Sequence, residues 1–256
     1  MAQQADEDTV TVNAFEMNDR NVVVVGKTGA GKSTIANKIL ETTSSNARNP
    51  FKVSDTVLES ITQTVSVKKT LLKTKGGVYY SVQVVDTIGL FDTRALASCK
   101  SNNDTMKEIE SFFRDRISGV NIIFFVFKQG RWTSEEKTTF DLFTRYFVDS
   151  EVSSVSALVI TGCDGYTDEQ KEKVCKEFKE KQPEIYRFMK KGVLAVSFLD
   201  LSKLIPEIQA IHKEQQKADQ ERLRKLVYSC EEMKLSKEIV QDNFWEKVKR
   251  SMCNIL

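Results

Sequence analysis

Gly26-Lys27-Thr28-Gly29-Ala30-Gly31-Lys32-Ser33 fits the pattern G-x-x-x-x-G-K-[ST] without a mismatch. Asn21-Val22-Val23-Val24-Val25 precedes it, an apolar β-branched run that predicts a buried strand. Thr34-Ile35-Ala36-Asn37-Lys38-Ile39-Leu40 follows it, apolar at helical spacing. Strand, glycine loop and helix together form the context in which this motif cradles phosphates. Gly26, Gly29 and Gly31 allow backbone conformations that a Cβ forbids, so the loop's N–H groups can converge on phosphate oxygens. The positive end of the following helix adds to the attraction. The candidate nucleotide-binding set therefore begins with Gly26, Lys27, Thr28, Gly29, Ala30, Gly31, Lys32, Ser33 and Thr34. Lys32 is expected to reach the outer phosphates and Ser33 to place its hydroxyl on a Mg²⁺ ion.

Working outward, the whole chain has 256 residues, enough for one large domain with an appendage. It is 40% hydrophobic and 29% charged, as soluble globular proteins are. A net charge of +2 gives no case for nucleic acid. The five cysteines are odd in number and lack metal-ligand spacing, which reads as free thiols in a reducing, cytoplasmic setting. Residues 1–18 are polar and read as a flexible tail, not a signal peptide. Ala2 stands where N-myristoylation needs glycine, and the longest apolar stretch, 122–127, has only a strand's length.

Residues 42–55 are rich in Ser, Asn and Thr and read as a loop or mobile segment. Alternation at 62–67, a turn at Lys75-Gly76-Gly77 and a second apolar run at 79–85 predict an antiparallel hairpin on an otherwise parallel sheet. Its second strand ends in Asp86-Thr87-Ile88-Gly89, a D-x-x-G that suits Mg²⁺ at Asp86 and a γ-phosphate contact at the Gly89 N–H. The plainer reading is that Asp86 caps a turn. A helix is predicted over 104–117 and a buried strand over 120–127. Thr133 with Glu136 makes a capping box, which leaves Arg131 and Trp132 unexplained.

A strand over 155–160 delivers Thr161-Gly162-Cys163-Asp164 to the edge where doubly wound sheets bind ligands. Asp164 could accept two guanine N–H groups, which adenine does not match; the alternative is a turn aspartate. Residues 168–191 read as a charged helix broken at Pro183, and 192–197 as the last strand. Ser197 and Phe198 then fall where a final loop touches the base. The pattern over 201–250 is helical, with 11 Lys/Arg against 9 Asp/Glu from Lys203 onward, so it is not a strongly basic membrane helix. The chain closes on Cys253-Asn254-Ile255-Leu256, a C-a-a-X geranylgeranylation pattern with Lys247, Lys249 and Arg250 upstream, so Cys253 is a lipidation candidate.

Taken together, GKTGAGKST at 26–34, ESIT at 59–62, DTIGLFDT at 86–93 and GRWTSEE at 130–136 resemble the GIMAP/IAN (immunity-associated) GTPases, near septins and the chloroplast-import receptor GTPases. GRWTSEE resembles a box specific to that family and gives Arg131-Trp132 a context. The resemblance implies a P-loop GTPase fold that binds GTP or GDP with Mg²⁺. Its Mg²⁺- and γ-phosphate-sensing threonine would be Thr62, with Thr64 and Ser60 as rivals. Leu90 stands where Ras-like proteins carry the water-orienting glutamine, so hydrolysis should be slow or completed by Arg94, His212 or a partner subunit. The resemblance further implies a GTP-dependent dimer across the nucleotide face, attachment to the cytosolic side of an intracellular membrane, and a switch or scaffold role in immune or stress responses. Two departures stand out: Ile88 replaces the family's usual proline, and Gly162 replaces the lysine that lies along the base.

The expected architecture is α/β: a tail over 1–18, a GTPase domain over 19–202 with a mostly parallel doubly wound sheet and one antiparallel strand, and a helical extension over 203–256. Candidate metal ligands are Ser33, Thr62 and Asp86. The nucleotide set adds Thr62, Gly89, Thr161, Asp164, Ser197 and Phe198 to the loop residues. Two rival readings are a GTP-stabilised scaffold without turnover and an ATP-using P-loop enzyme.

Overall fold

The strand before the glycine loop is the centre of the sheet. In the computed structural model, which describes residues 18–41, 66–86, 119–130, 132–134, 136–137, 140–141, 150–231 and 233–234, β1 (Asn18–Val25) has parallel neighbours on both sides. These are β3 (Tyr79–Asp86) and β5 (Ile122–Lys128). Beyond β5 lie β6 (Ser156–Thr161) and β7 (Val193–Ala195), both parallel. Beyond β3 the edge strand β2 (Ser66–Lys73) runs antiparallel. The order β2-β3-β1-β5-β6-β7 is the mostly parallel doubly wound sheet of the P-loop GTPase fold, with the one antiparallel strand that the hairpin pattern predicts.

Val22 and Val24 pack into one hydrophobic cluster and Val23 and Val25 into another, on opposite faces of the sheet. A strand covered on both faces has no reason to alternate, so its sequence is continuously apolar. Among the described residues the helices with full bounds are α1 (Lys32–Leu40), α2 (Ser150–Ser154), α3 (Asp168–Lys181), α4 (Pro183–Phe188) and α5 (Pro206–Ser229). Thr167 and Gln170 cap α3 reciprocally, and Pro183 opens α4 at a position where its missing N–H costs nothing. Exposed Lys68, Lys69 and Lys73 on β2 discourage another chain from adding to that edge.

The α5 helix shows how a highly charged sequence can still supply core. Gln216, Asp219, Leu223 and Val227 form its buried stripe, and Leu223 and Val227 are fully covered. Its polar side chains satisfy the open C-terminal end of α1. Gln220 donates to the Lys38 carbonyl at 2.7 Å, and Arg224 donates to the carbonyls of Ile39, at 3.0 Å, and Glu41. Those carbonyls have no partner within their own helix.

Three boundaries differ from the sequence reading. The first hairpin strand, read over 62–67, runs over Ser66–Lys73, because its pairing with β3 continues from Asp86 down to Tyr79 beside the turn. The last strand ends at Ala195 and not near 197, because the Ser197 N–H is taken by the Asp219 carboxylate on α5. The helical pattern read over 201–250 does not hold at β8 (Met233–Lys234), which pairs antiparallel with β4 (Gly119–Val120). A polar latch brings the chain there. Asn121 is 1% exposed, accepts the Asn21 N–H at 2.7 Å and donates to the Cys230 carbonyl at 3.4 Å, just past the end of α5. The helix predicted over 104–117 lies outside the described residues.

If α5 is core, Leu223→Ala should destabilise the protein by about 3 kcal/mol in urea denaturation. Ile211→Ser, at a position 64% exposed, should cost no more than about 0.5 kcal/mol. Equal costs at the two positions would contradict the packing.

Candidate nucleotide site

The sheet order reverses at β1, which lies between β3 and β5, and the crevice beyond the C-terminal ends of these strands is where such sheets bind ligands. The glycine loop occupies that edge. Gly26 leaves β1 at φ +145, and a Cβ built on it would lie 2.3 Å from the Val126 carbonyl oxygen of β5. No other residue fits that approach. The loop closes through a bond from the Ala30 N–H to the Lys27 carbonyl, and Gly31, φ +95, is the N-cap residue of α1 and offers no side-chain cap. The first-turn N–H groups of a helix have no acceptor within it, which favours an anion at this end. Lys32 is only 7% exposed and donates from Nζ to the Lys27 carbonyl at 2.9 Å, so its ammonium lies across the loop.

Thr161 holds the loop from behind. Its hydroxyl donates to the Ala30 carbonyl at 2.7 Å, and its methyl would contact a Cβ at Gly31 at 3.3 Å. The residue predicted to touch nucleotide thus braces the loop, and β6 is tied to it.

Ser33 and Asp86 meet as the two motifs require: the Ser33 hydroxyl donates to Asp86 Oδ2 at 2.6 Å. Asp86 is fully buried and its other oxygen, Oδ1, has no hydrogen-bond partner. Burial pushes the carboxyl above its ordinary pKa, although the Ser33 hydroxyl and the Lys32 ammonium pull it down. A buried orphan carboxylate oxygen beside a serine hydroxyl, near a lysine, is a donor set that fits a hydrated Mg²⁺.

At the other end of the crevice, Ser197 donates from Oγ to Asp164 Oδ1 at 3.0 Å, joining the two predicted base-contacting residues. Phe198 is half-buried against the α1 side of the core, with the Lys38 ammonium 5.8 Å from its ring. Cys163, between Gly162 and Asp164, is buried, and burial pushes its thiol up to about 11, so it remains a neutral packing group. Gly162 lacks a side chain, but the stem of Lys128 lies over it: a Cβ there would meet Lys128 Cγ at 3.4 Å. A lysine from the end of β5 therefore covers the place where the motif lost its own.

Three features escaped the sequence reading. Lys128 is one. The second is the reach of the GRWTSEE box. Its Glu136 approaches Lys27 of the loop at 3.9 Å while the same carboxylate accepts the Thr133 N–H at 2.9 Å, so the capping box is present and extends to the P-loop. Trp132 packs on Phe127 and Phe178, ring centroids 4.8 and 5.6 Å away, which anchors the box between β5 and α3. The third is Asp219, whose signal, one acid in a mixed-charge helix, is indistinguishable from a solvated face. Thr62 with its rivals Thr64 and Ser60, and also Gly89, Leu90, Arg94, Arg131 and Cys253, lie outside the described residues. His212 is described and lies on α5, half-buried.

A glycine loop between β1 and α1, a Ser–Asp pair beneath it and a second carboxylate at the end of β6 define a P-loop nucleotide-binding protein. Residues 20–250 match the AIG1 family, and the chain belongs to it. Among solved structures, Toc33 from Arabidopsis thaliana in complex with Mg²⁺ and GMPPNP is similar at 14% identity and a TM-score of 0.49, over 86% of this chain and 89% of that one. A dimerization-deficient mutant of the same Toc33 gives 16% identity and a TM-score of 0.47 over 82% and 84%. Translation elongation factor SelB from Methanococcus maripaludis gives 13% and 0.45 over 84% of this chain; the chain spans about a third, 35%, of that protein's length.

Two substitutions test the geometry. Gly26→Ala should abolish stable folding or cost at least about 3 kcal/mol, since backbone of β5 would have to move. The Asp86 carboxyl keeps its proton to higher pH in the folded protein than in the unfolded one, so it opposes folding progressively as pH rises above the unfolded value and in full once pH exceeds the folded one. Asp86→Asn should therefore raise the urea midpoint of the nucleotide-free protein at neutral pH, with the gain fading toward acid pH. The same variant should lose the Mg²⁺ dependence of nucleotide affinity. A lowered midpoint at neutral pH would contradict the orphaned-oxygen account.

Proposed function

We propose that this protein is a guanine-nucleotide switch that binds GTP and GDP with Mg²⁺. The observation that carries the reading is the placement of two carboxylates at one sheet edge: Asp86 with Ser33 beneath the loop, and Asp164 with Ser197 beyond it. The first suits a metal beside phosphates. The second offers a carboxylate, already held by a hydroxyl, to the paired N–H groups of guanine. Mg²⁺ would be held by Ser33 and Asp86, where it would supply positive charge against the phosphates. Lys32, whose ammonium lies across the loop on the Lys27 carbonyl, would meet a phosphate entering the loop, and such charge-assisted bonds are roughly twice as strong as neutral ones.

Hydrolysis of GTP is the reaction proposed, and slow turnover follows from Leu90 at the glutamine position. The missing group would come from Arg94, from His212 or from a second subunit docked across the nucleotide face, making the GTP-bound dimer the competent form. Cys253, once prenylated, would hold the protein at the cytosolic face of an intracellular membrane, with basic Lys247, Lys249 and Arg250 as the second attachment signal. By its resemblance to the GIMAP/IAN group, the setting would be immune or stress signalling.

Lys32→Ala should weaken GTP affinity at least about 100-fold, a loss of roughly 3 kcal/mol, and Asp164→Asn should erode the preference for GTP over ATP. GTP turnover per protomer, measured across a wide protein concentration range with light scattering, separates the modes of action. A rate that rises with dimer formation supports completion in trans. A flat, negligible rate with tight GTP binding would instead make the bound state itself the output, as a scaffold.

A further inference from the structure

The Lys171–Asp219 pair is the most deeply buried ion pair among the described residues: Asp219 is 0% and Lys171 2% exposed. Lys171 Nζ, on α3, donates to Asp219 Oδ2, on α5, at 2.7 Å. Arg222 donates to the other oxygen and, at 3.0 Å, to Asp168. A pair like this need not improve stability, because apolar residues of similar volume often do as well. What sets this one apart is its third partner. The same Oδ2 accepts the backbone N–H of Ser197 at 2.8 Å, and Ser197 in turn donates its hydroxyl to Asp164. One turn away on α5, Gln216 donates to the Leu199 carbonyl at 2.6 Å, so the helix grips the same loop twice.

We propose that Asp219 is the positioning residue of the base-recognition site. Lys171 fixes the Asp219 carboxylate, the carboxylate fixes the main chain at Ser197, and the Ser197 hydroxyl sets the orientation in which Asp164 meets the base. Base specificity is thereby made to depend on the seating of the C-terminal helix. This rests on the guanine reading of Asp164, and it adds a residue that touches no nucleotide. Because β7 ends at Ala195, the sheet ladder does not extend to the Ser197 N–H, and the acceptor comes from α5. Without the carboxylate, the Ser197 N–H would be a buried donor with no acceptor, and the loop would shift to reach water.

Two double variants separate positioning from mere anchoring. Asp219→Leu with Lys171→Met removes both charges and the acceptor. Asp219→Asn with Lys171→Gln removes both charges but keeps an amide oxygen for the Ser197 N–H. Affinities for GDP and ADP, each with Mg²⁺, are measured for both and for the parent protein. The Leu/Met pair should lose about tenfold of the GDP-over-ADP preference, the equivalent of one hydrogen bond, with ADP affinity unchanged. The Asn/Gln pair should stay within about twofold of the parent, since its acceptor survives. Equal behaviour of the two variants, whether both keep the preference or both lose it together with ADP affinity, would overturn the proposal. A parent that does not distinguish GDP from ADP would overturn the guanine reading itself, and this inference with it. If the Leu/Met pair does not fold, amide exchange in the parent decides: Ser197 should be protected at least about 100-fold without nucleotide, and rapid exchange that slows only when GDP binds would refute a preset loop.

Discussion

The close approach of the chain at Gly26 to the backbone of β5 is the constraint on which the rest depends. With 2.3 Å between a notional Cβ and the Val126 carbonyl, the chain can leave β1 in this direction only as glycine. That exit turns the loop back over the sheet edge, sets the start of α1 and places Ser33 above the end of β3, where Asp86 waits. Thr161 then locks the loop to β6 through the Ala30 carbonyl, so four parallel strands, β1, β3, β5 and β6, converge on one glycine loop. Shifting any of them would misplace the others.

Around this cradle the protein keeps polar groups that folding alone would not favour. Asp86 is buried with one oxygen unsatisfied and a raised pKa, a cost that a bound cation would offset. Lys32 lies almost covered across the loop. Two other buried polar clusters are paired instead: Asn121 bridges β1 to the turn after α5, and Lys171, Asp219 and Ser197 satisfy one another. The contrast separates polar groups that join elements from a buried carboxylate oxygen that has no hydrogen-bond partner.

The α5 helix works as a clamp on both ends of the crevice. Its Gln220 and Arg224 close the end of α1, whose other end adjoins the glycine loop, while Gln216 and Asp219 hold the loop that follows β7. On the opposite side, Trp132 is wedged between β5 and α3, and Glu136 reaches Lys27. The loop that would bind phosphate is therefore in contact with the box that resembles a family signature, and through α1 with the C-terminal helix.

Sequence alone determined what depends on local pattern: a glycine loop between a β-branched run and a helical one, the hairpin with its antiparallel edge strand, the capping box at Thr133, and the pairing of Ser33 with Asp86 by motif. These are readable because backbone conformation and side-chain period are properties of neighbouring residues. Tertiary structure decided the rest. Thr161 turned out to brace the loop, Lys128 came to cover Gly162, Met233 and Lys234 left the helical pattern to pair with Gly119 and Val120, and Asp219 was chosen from many acids to hold Ser197. Each of these joins residues far apart in the chain, from 22 positions for Ser197 and Asp219 to 131 for Thr161 and Ala30. Which acid on an amphipathic helix becomes buried depends on the surface it meets, and no local period encodes that surface.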